Sequence, residues 1–166
     1  MLRYYILPIK KDDVKYFTIW VGGEKDWILN NKNRVLLFQD YSNLESYMKE
    51  KEIIIVNDEP IKDYDFDYIS QFSKKQDNIK SKEFLDFWNL MTDWAYSTNQ
   101  QFLGDDDSNG LINDIYNKLF YGCNLPVLKK EESEEYRPTW DNEEIEMLVK
   151  ICDNGLSIID NHTDFF

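Results

Sequence analysis

The spacing of apolar residues changes near position 64 of this 166-residue chain, and the change divides the secondary structure that the sequence predicts. Before it, short runs of β-branched and aromatic residues between turn signals are typical of strands. These runs cover residues 2–9, 15–21, 27–29, 35–38 and 53–56. A small helix beginning at Ser42, with Glu45 closing a capping box, separates the last two runs and allows a parallel crossover between them.

After position 64 the apolar residues recur at helical spacing. A long helix is predicted over 82–102 because one stripe carries Phe84, Trp88, Met91 and Ala95. Shorter helices are predicted over 65–72 and over 111–121, and Gly122 is expected to cap the second of them. Three residues on these stripes are expected to be buried between helices: Trp88, Trp94 and Ile115.

The last helix has a clear start in the sequence. Asp141 is the expected N-cap and Glu144 completes a capping box. Asn154 and Gly155 predict a break in this helix. His162 lies five residues from the end of the chain, where we expect a frayed terminus.

The sequence therefore predicts an α+β fold. An N-terminal mixed β-sheet of four to five strands carries the small helix, and an acidic C-terminal helical layer follows it. We expect one domain over residues 1–166, with a strand-rich half at 1–63 and a helical half at 64–166.

Negative charge is concentrated in one half of the chain. The sequence has 32 acidic and 19 basic residues, a net charge of −13. Residues 1–83 have a net charge of −1 and residues 84–166 a net charge of −12. This balance argues against direct binding of nucleic acid or of an anionic membrane surface. It is compatible with a basic protein partner and equally with a solvated acidic face that serves solubility alone.

The residue types that perform catalysis or bind metals are scarce. Cys123 and Cys152 do not form the framework of a secreted disulfide protein, and the N-terminus lacks a signal peptide, so we expect a cytoplasmic protein. His162 is the only histidine. A nucleophile–base pair of Cys152 and His162 is conceivable if the chain turns at Gly155. We expect neither enzymatic activity nor a cofactor, although an unrecognised enzyme site stays open as an alternative.

A polar segment between two predicted helices has part of the spacing of a calcium-binding loop. Asp105, Asp107 and Asn109 occupy positions 1, 3 and 5 of such a loop, and Gly110 occupies position 6. Position 12, which needs a bidentate carboxylate, is Tyr116. Weak calcium binding and a simple helix cap are both compatible with this pattern.

The acidic half also contains the candidate partner-binding residues. Helix capping does not explain the glutamates that precede Tyr136, and like charges packed so closely favour a basic partner. Neighbouring aromatic residues offer anchors of the kind found at binding hot spots. Aromatic residues packed in the core beside acids in water are the equally weighted alternative. The candidate residues are Asp105, Asp106, Asp107, Glu131, Glu132, Glu134, Glu135, Tyr136 and Trp140.

The stretch VLLFQDYSNLESY at 35–47, followed by III at 53–55, resembles the N-terminal half of immunity proteins of contact-dependent growth-inhibition systems. The aromatic-rich region at 84–96 is similar to them as well. The resemblance implies tight binding and neutralisation of one cognate toxin domain, often a basic nuclease. The alternative is another acidic interaction protein, such as a nucleic-acid mimic or an adaptor.

Overall fold

Seven strands and five helices make up the described parts of the chain. A computed structural model describes residues 1–56, 62–128 and 134–166. The strands are β1 (Arg3–Lys11), β2 (Val14–Gly22), β3 (Trp27–Ile28), β4 (Asn30–Asn31), β5 (Arg34–Leu37), β6 (Tyr64–Asp65) and β7 (Thr163–Phe165). The helices are α1 (Tyr41–Glu50), α2 (Phe66–Lys75), α3 (Ser81–Thr98), α4 (Gly110–Gly122) and α5 (Asn142–Asn161).

The strands form two sheets that are joined by one antiparallel bridge. The first sheet has the order β3-β2-β1-β6, with β6 parallel to β1, and the second has the order β4-β5-β7, with β7 parallel to β5. The backbone N–H groups of Phe17 and Phe38 each donate to the carbonyl of the other, at 2.8 and 2.9 Å, and so connect the two sheets. The predicted α+β fold, with an N-terminal mixed sheet followed by helices, is confirmed.

The hairpin between β1 and β2 is fastened to the helical part of the molecule. Asp12 and Asp13 form its two-residue turn, and both have positive φ angles, 54° and 58°. Such turns match the twist of a hairpin and favour Asp and Asn. The carboxylate of Asp67, in the first turn of α2, accepts from the N–H groups of Asp12 at 2.6 Å and Asp13 at 2.9 Å.

The C-terminus is a strand, and the expectation of a frayed terminus was wrong. The carbonyl of His162 accepts from the N–H of Val35 at 2.9 Å, and the N–H of Phe166 donates to the carbonyl of Leu37 at 2.9 Å. The sequence did not show this because a parallel strand of three residues depends on a partner about 130 positions away.

Helix α3 lies at the centre of the main core. Trp88, Trp94 and Ile115 are buried, as predicted, with Trp94 fully enclosed. The same core contains Leu7 and Ile9 from β1 as well as residues of all helices except α1. A second, smaller core beneath α1 includes Leu44. No helix in the described ranges is both long enough and apolar enough to cross a membrane.

Two glycines in the helical half act through close packing, and both predictions about them were wrong. Helix α5 runs without a break through Gly155, where a methyl group would lie 2.9 Å from Phe87 Cζ and 3.1 Å from Met91 Cγ. Gly122 is the last residue of α4 and lies against Ser81, with no positive φ angle. In both places glycine lets two elements approach each other.

The predicted N-terminus of α5 is confirmed, and the predicted N-terminus of α1 was wrong. Asp141 and Glu144 form the predicted reciprocal box at the start of α5. Helix α1 instead begins at Tyr41 with Asp40 as its N-cap, so Ser42 already lies inside the first turn. The carbonyl of Ser42 accepts from the Ser46 hydroxyl at 2.9 Å, as a helical residue can.

The predicted strand over 53–56 is reduced to one parallel bridge between Ile55 and Tyr4 of β1. It therefore pairs with β1, whereas β5 pairs with β4 and β7, and the expected crossover unit between β5 and this segment does not form. Ile54 is 82% exposed, so the run of apolar residues here is not a buried strand.

Candidate partner-binding site

Asp105, Asp106 and Asp107 lie in the connection between α3 and α4, and we call these three residues the aspartate ridge. Asp105 ends a short 3-10 turn, Leu103–Asp105. Two residues beyond the ridge, the side-chain oxygen of Asn109 accepts from the first N–H groups of α4. The helix-cap interpretation of this segment is therefore confirmed.

The aspartate ridge stands between two surface hollows, of about 620 Å³ and 370 Å³. Asp105 and Thr92 line both of them, and the Thr92 hydroxyl donates to the Asp105 carboxylate at 2.6 Å. Asp106 lines the larger hollow and Asp107 the smaller one. The three predicted aspartates thus occupy the shared edge of two concave surfaces.

The larger hollow contains a cation that rests on an aromatic ring. The ammonium group of Lys25, from the β2–β3 connection, lies 3.6 Å from the ring centroid of Tyr96 on α3. This distance is well within the range of a cation–π interaction. The hollow is therefore lined both by an aromatic residue, Tyr96, and by the acidic residues Asp105 and Asp106.

A second carboxylate lies close to this region. Asp93 is half-buried and accepts from the indole N–H of Trp20 at 2.9 Å. Burial raises the pKa of Asp93, the negative charges of Asp26 and Asp105 raise it further, and the Trp20 hydrogen bond and Lys25 lower it. Burial is the largest of these effects, so the negative charge of Asp93 lacks full solvation.

The carboxylate of Asp105 has a similar environment. Burial raises the pKa of Asp105, while the hydrogen bond from Thr92 and the charge of Lys25 lower it. A cation brought to this carboxylate would restore part of the lost solvation. The electrostatics of the ridge therefore favour a basic ligand.

The smaller hollow has a rigid aromatic side. The rings of Trp88 and Tyr116 meet edge to face with centroids 5.4 Å apart. The Tyr116 hydroxyl donates to the side-chain oxygen of Asn89 at 3.0 Å. Both contacts hold Tyr116 against α3.

The candidate residues around Tyr136 form a separate region. Asn124, which has a positive φ of 49°, donates to the Tyr136 carbonyl at 2.9 Å and accepts from the Tyr136 N–H at 2.8 Å. Tyr136 and Glu134 are exposed. Glu135 is exposed as well, whereas Glu131 and Glu132 lie outside the described residues.

Trp140 is less accessible than an anchor residue would be. It is half-buried and packs against the main core. The ammonium of Lys118 lies 5.5 Å from its ring centroid and forms a 2.5 Å ion pair with the buried carboxylate of Glu144. Trp140 therefore shields the Lys118–Glu144 pair as well as offering one edge to solvent.

The structure does not bring the two candidate regions together. Asn109 precedes α4 and Asn124 follows it, and α4 has 13 residues. A helix of that length spans about 20 Å, so the aspartate ridge and Tyr136 lie at opposite ends of it.

The conceivable pair of Cys152 and His162 does not form. Helix α5 is continuous up to Asn161, so the two residues are separated by about 15 Å of helix axis. Burial raises the pKa of the Cys152 thiol far above its ordinary value, the opposite of what an activated nucleophile requires. Across the described ranges, no three or more His, Cys, Asp or Glu side chains are grouped so that they could hold a metal ion.

The sequence interpretation did not identify Lys25, Tyr96 or Asp93. A partial signal was present, because Thr92, Asp93 and Tyr96 are the positions where α3 departs from its apolar stripe. The contribution of Lys25 comes from a turn about 70 residues earlier, and spacing along the chain cannot reveal it.

The chain matches no family model and no curated protein. Among solved structures it is similar to the C-terminal domain of SatS, which was solved in complex with bromine. The TM-score is 0.54 at 9% sequence identity, and the match covers 98% of this chain and 94% of the SatS domain. At this identity the similarity concerns the fold alone, and it extends over nearly the whole of both chains.

Proposed function

We propose that this chain is a cytoplasmic immunity protein that binds a cognate bacterial toxin domain and neutralises it by covering its active or substrate-binding surface. The toxin class that we expect is a basic nuclease. The observation that carries the proposal is the aspartate ridge, three consecutive exposed carboxylates between two hollows. A surface that receives phosphates presents positive charge, and a ridge of carboxylates complements it.

The internal ion pairs leave the ridge available to a partner. Five acidic residues of the helical half have described ion pairs within the chain: Asp67, Asp86, Glu144, Asp160 and Asp164. For the three ridge aspartates, no ion pair occurs among residues 1–56, 62–128 and 134–166. Their charge is thus not neutralised within those ranges, and it can steer a basic protein into contact.

The hollows beside the ridge supply aromatic residues, which typical interfaces combine with charged ones. Tyr96 borders the larger hollow, and Trp88 and Tyr116 border the smaller one. Aromatic residues next to charges are enriched at binding hot spots. The region around Tyr136 lies about 20 Å away, a separation that one interface of standard size, about 800 Å² on each partner, can span.

The proposal is tested by co-expression with the C-terminal domain encoded by the neighbouring reading frame. We expect the wild-type chain to restore growth and to co-purify with that domain. The triple variant D105N/D106N/D107N should lose most of the protection, because asparagine keeps the hydrogen bonds of the ridge but not its charge. The control variant E45Q/E143Q/E146Q removes the same number of exposed charges from α1 and α5 and should protect like the wild type.

Two results would contradict the proposal. One is the absence of any complex between the two proteins. The other is equal protection by the ridge variant and the control variant, which would move the contact to another surface.

A further inference from the structure

We propose that the larger hollow is a seat for an arginine side chain of the basic partner, and that Lys25 occupies this seat in the free protein. The inference rests on the proposed function for the identity of the partner. It goes further by naming the chemical group that is recognised and the residue that competes with it.

The first argument is the position of Lys25. Its ammonium lies 3.6 Å from the ring centroid of Tyr96, the shortest of the cation–ring distances among the described residues. No carboxylate of the described ranges forms an ion pair with it. A cation therefore already rests on this ring, held by the aromatic face and by the wider negative field of Asp93 and Asp105.

The second argument is the composition of the hollow. Beside Tyr96 and the carboxylates of Asp105 and Asp106, it is lined by the side chains of Gln100 and Gln101. The amide nitrogen of Gln100 donates to the Thr98 and Asn99 carbonyls, and its amide oxygen takes part in no hydrogen bond with the described residues. The hollow is rich in acceptors around one aromatic face.

The third argument distinguishes arginine from lysine. A guanidinium group is planar, stacks on an aromatic ring and carries five N–H donors at its edge. An ammonium group is a compact charge with three donors. A hollow lined by one aromatic ring and several acceptors suits the guanidinium better, so an arginine from a partner can displace Lys25.

The fourth argument is that the exchange is inexpensive. Lys25 and Tyr96 are both exposed, Tyr96 to 50%. Cation–π contacts at exposed sites are weak, so releasing Lys25 into solvent costs little. Lys25 therefore covers the aromatic ring in the free protein, and a cation that binds the ring more tightly can displace it.

The test uses the full chain and three peptide probes, hexa-arginine, hexa-lysine and hexa-citrulline, in calorimetric titrations at two salt concentrations. We expect hexa-arginine to bind more tightly than hexa-lysine, and hexa-citrulline not to bind. Tyr96→Leu should weaken hexa-arginine binding about fivefold, the equivalent of one contact of about 1 kcal/mol. Tyr121→Leu, at an exposed tyrosine on α4, should leave it unchanged.

Variants of Lys25 distinguish a specific arginine seat from non-specific electrostatic attraction to an acidic surface. Lys25→Met should tighten hexa-arginine binding because it removes the competitor, and Lys25→Arg should weaken it because it supplies a better one. Lys32→Met removes the same charge from an exposed turn on another part of the surface and is the control. Equal effects of Lys25→Met and Lys32→Met, or an unchanged affinity in Tyr96→Leu, would overturn the proposal.

The peptide titrations need no toxin, so the seat and the proposed function can fail separately. A toxin that the Tyr96→Leu variant binds as tightly as the wild type does would overturn the seat and leave the proposed function standing. Tyr96-dependent binding of hexa-arginine, without any complex with a toxin, would leave the seat standing and overturn the proposed function.

Discussion

The indole N–H of Trp20 donates to the carboxylate of Asp93 across 2.9 Å, and this hydrogen bond joins strand β2 to helix α3 beside the larger hollow. It holds a half-buried acid in a place where burial and the neighbouring acids disfavour its charge. The same hydrogen bond therefore fixes the sheet against the central helix and contributes to the negative field over the candidate site.

A pH-dependent loss of stability follows from Asp93. Because its pKa is raised in the folded protein, the native state binds more protons than the unfolded state between the two pKa values, and the free energy of unfolding falls as pH rises through this interval. Asp93→Asn can still accept from Trp20 but does not titrate. We expect a smaller loss of stability in the variant, in which Asp105 still titrates with a raised pKa, measured by chemical denaturation from pH 4 to pH 8.

The control for this prediction is Asp114→Asn, at an exposed position on α4. Its stability profile should follow that of the wild type. Parallel profiles for Asp93→Asn and the wild type would show that Asp93 does not have the raised pKa that its environment implies.

Two glycines provide a matched pair for stability. Gly155→Ala places a methyl group 2.9 Å from Phe87 Cζ in a packed core, and we expect a loss of about 1–3 kcal/mol in the free energy of unfolding. Gly110→Ala, in the first turn of α4, meets no atom within 4 Å and should be neutral or stabilising by up to about 1 kcal/mol. Thermal and denaturant unfolding of both variants measures the contrast. Equal stability of the two would show that α5 can move away from α3 at little cost.

These glycines illustrate what the sequence could and could not predict. The apolar stripe of α3 and the capping box of α5 are local patterns, and both were read correctly. Gly155 looked like a helix break because the pattern that explains it, a contact with Phe87 on another helix, is not local. The same holds for β4 and β6, which have two residues each and are too short to show any periodicity, whereas β3 lies within the predicted run 27–29.

The candidate site was only partly predictable for the same reason. The aspartate ridge is visible as a cluster of charge, and all three of its residues line a hollow. The contact of Lys25 with Tyr96 joins a turn of the sheet to α3 and depends on the tertiary fold. Trp140 was singled out as an aromatic next to acidic residues, but periodicity could not show that it packs on the core.

Arg34 fixes the C-terminal strand through three contacts. Its Nε donates to the Asp164 carboxylate at 2.6 Å, and its two terminal nitrogens donate to the carbonyls of Asn161 and Thr163, both at 2.8 Å. Arg34→Lys cannot reproduce this fork, and we expect a loss of about 1–2 kcal/mol. Hydrogen exchange should accelerate at the amide of Phe166, while Arg3→Lys on β1 should leave that amide protected.

The segment between α3 and α4 should not bind calcium in the micromolar range. Asn109 already caps α4, Asp105 accepts from Thr92, and Tyr116 stands where the bidentate carboxylate is needed. Calorimetric titration with calcium should show no binding at micromolar concentrations. A dissociation constant below about 10 µM would contradict this prediction and would give the ridge a role in metal binding.

Charge removal at the two candidate regions should affect different steps of partner binding. Replacing Glu131, Glu132, Glu134 and Glu135 with glutamine removes charge from the segment that follows α4 in the sequence. We expect a slower association rate with a weaker salt dependence, as for charges at the rim of an interface.

D105N/D106N/D107N removes charge beside the hollows, where a carboxylate is partly desolvated. Dissociation of the partner should accelerate, with a loss of about 2–5 kcal/mol for each broken buried pair. D105N/D106N/D107N should keep the fold, because its three aspartates are exposed and exposed like charges contribute little to stability. Association and dissociation rates at low and moderate salt separate the two effects, and unchanged rates in both variants would move the interface to the strand-rich half.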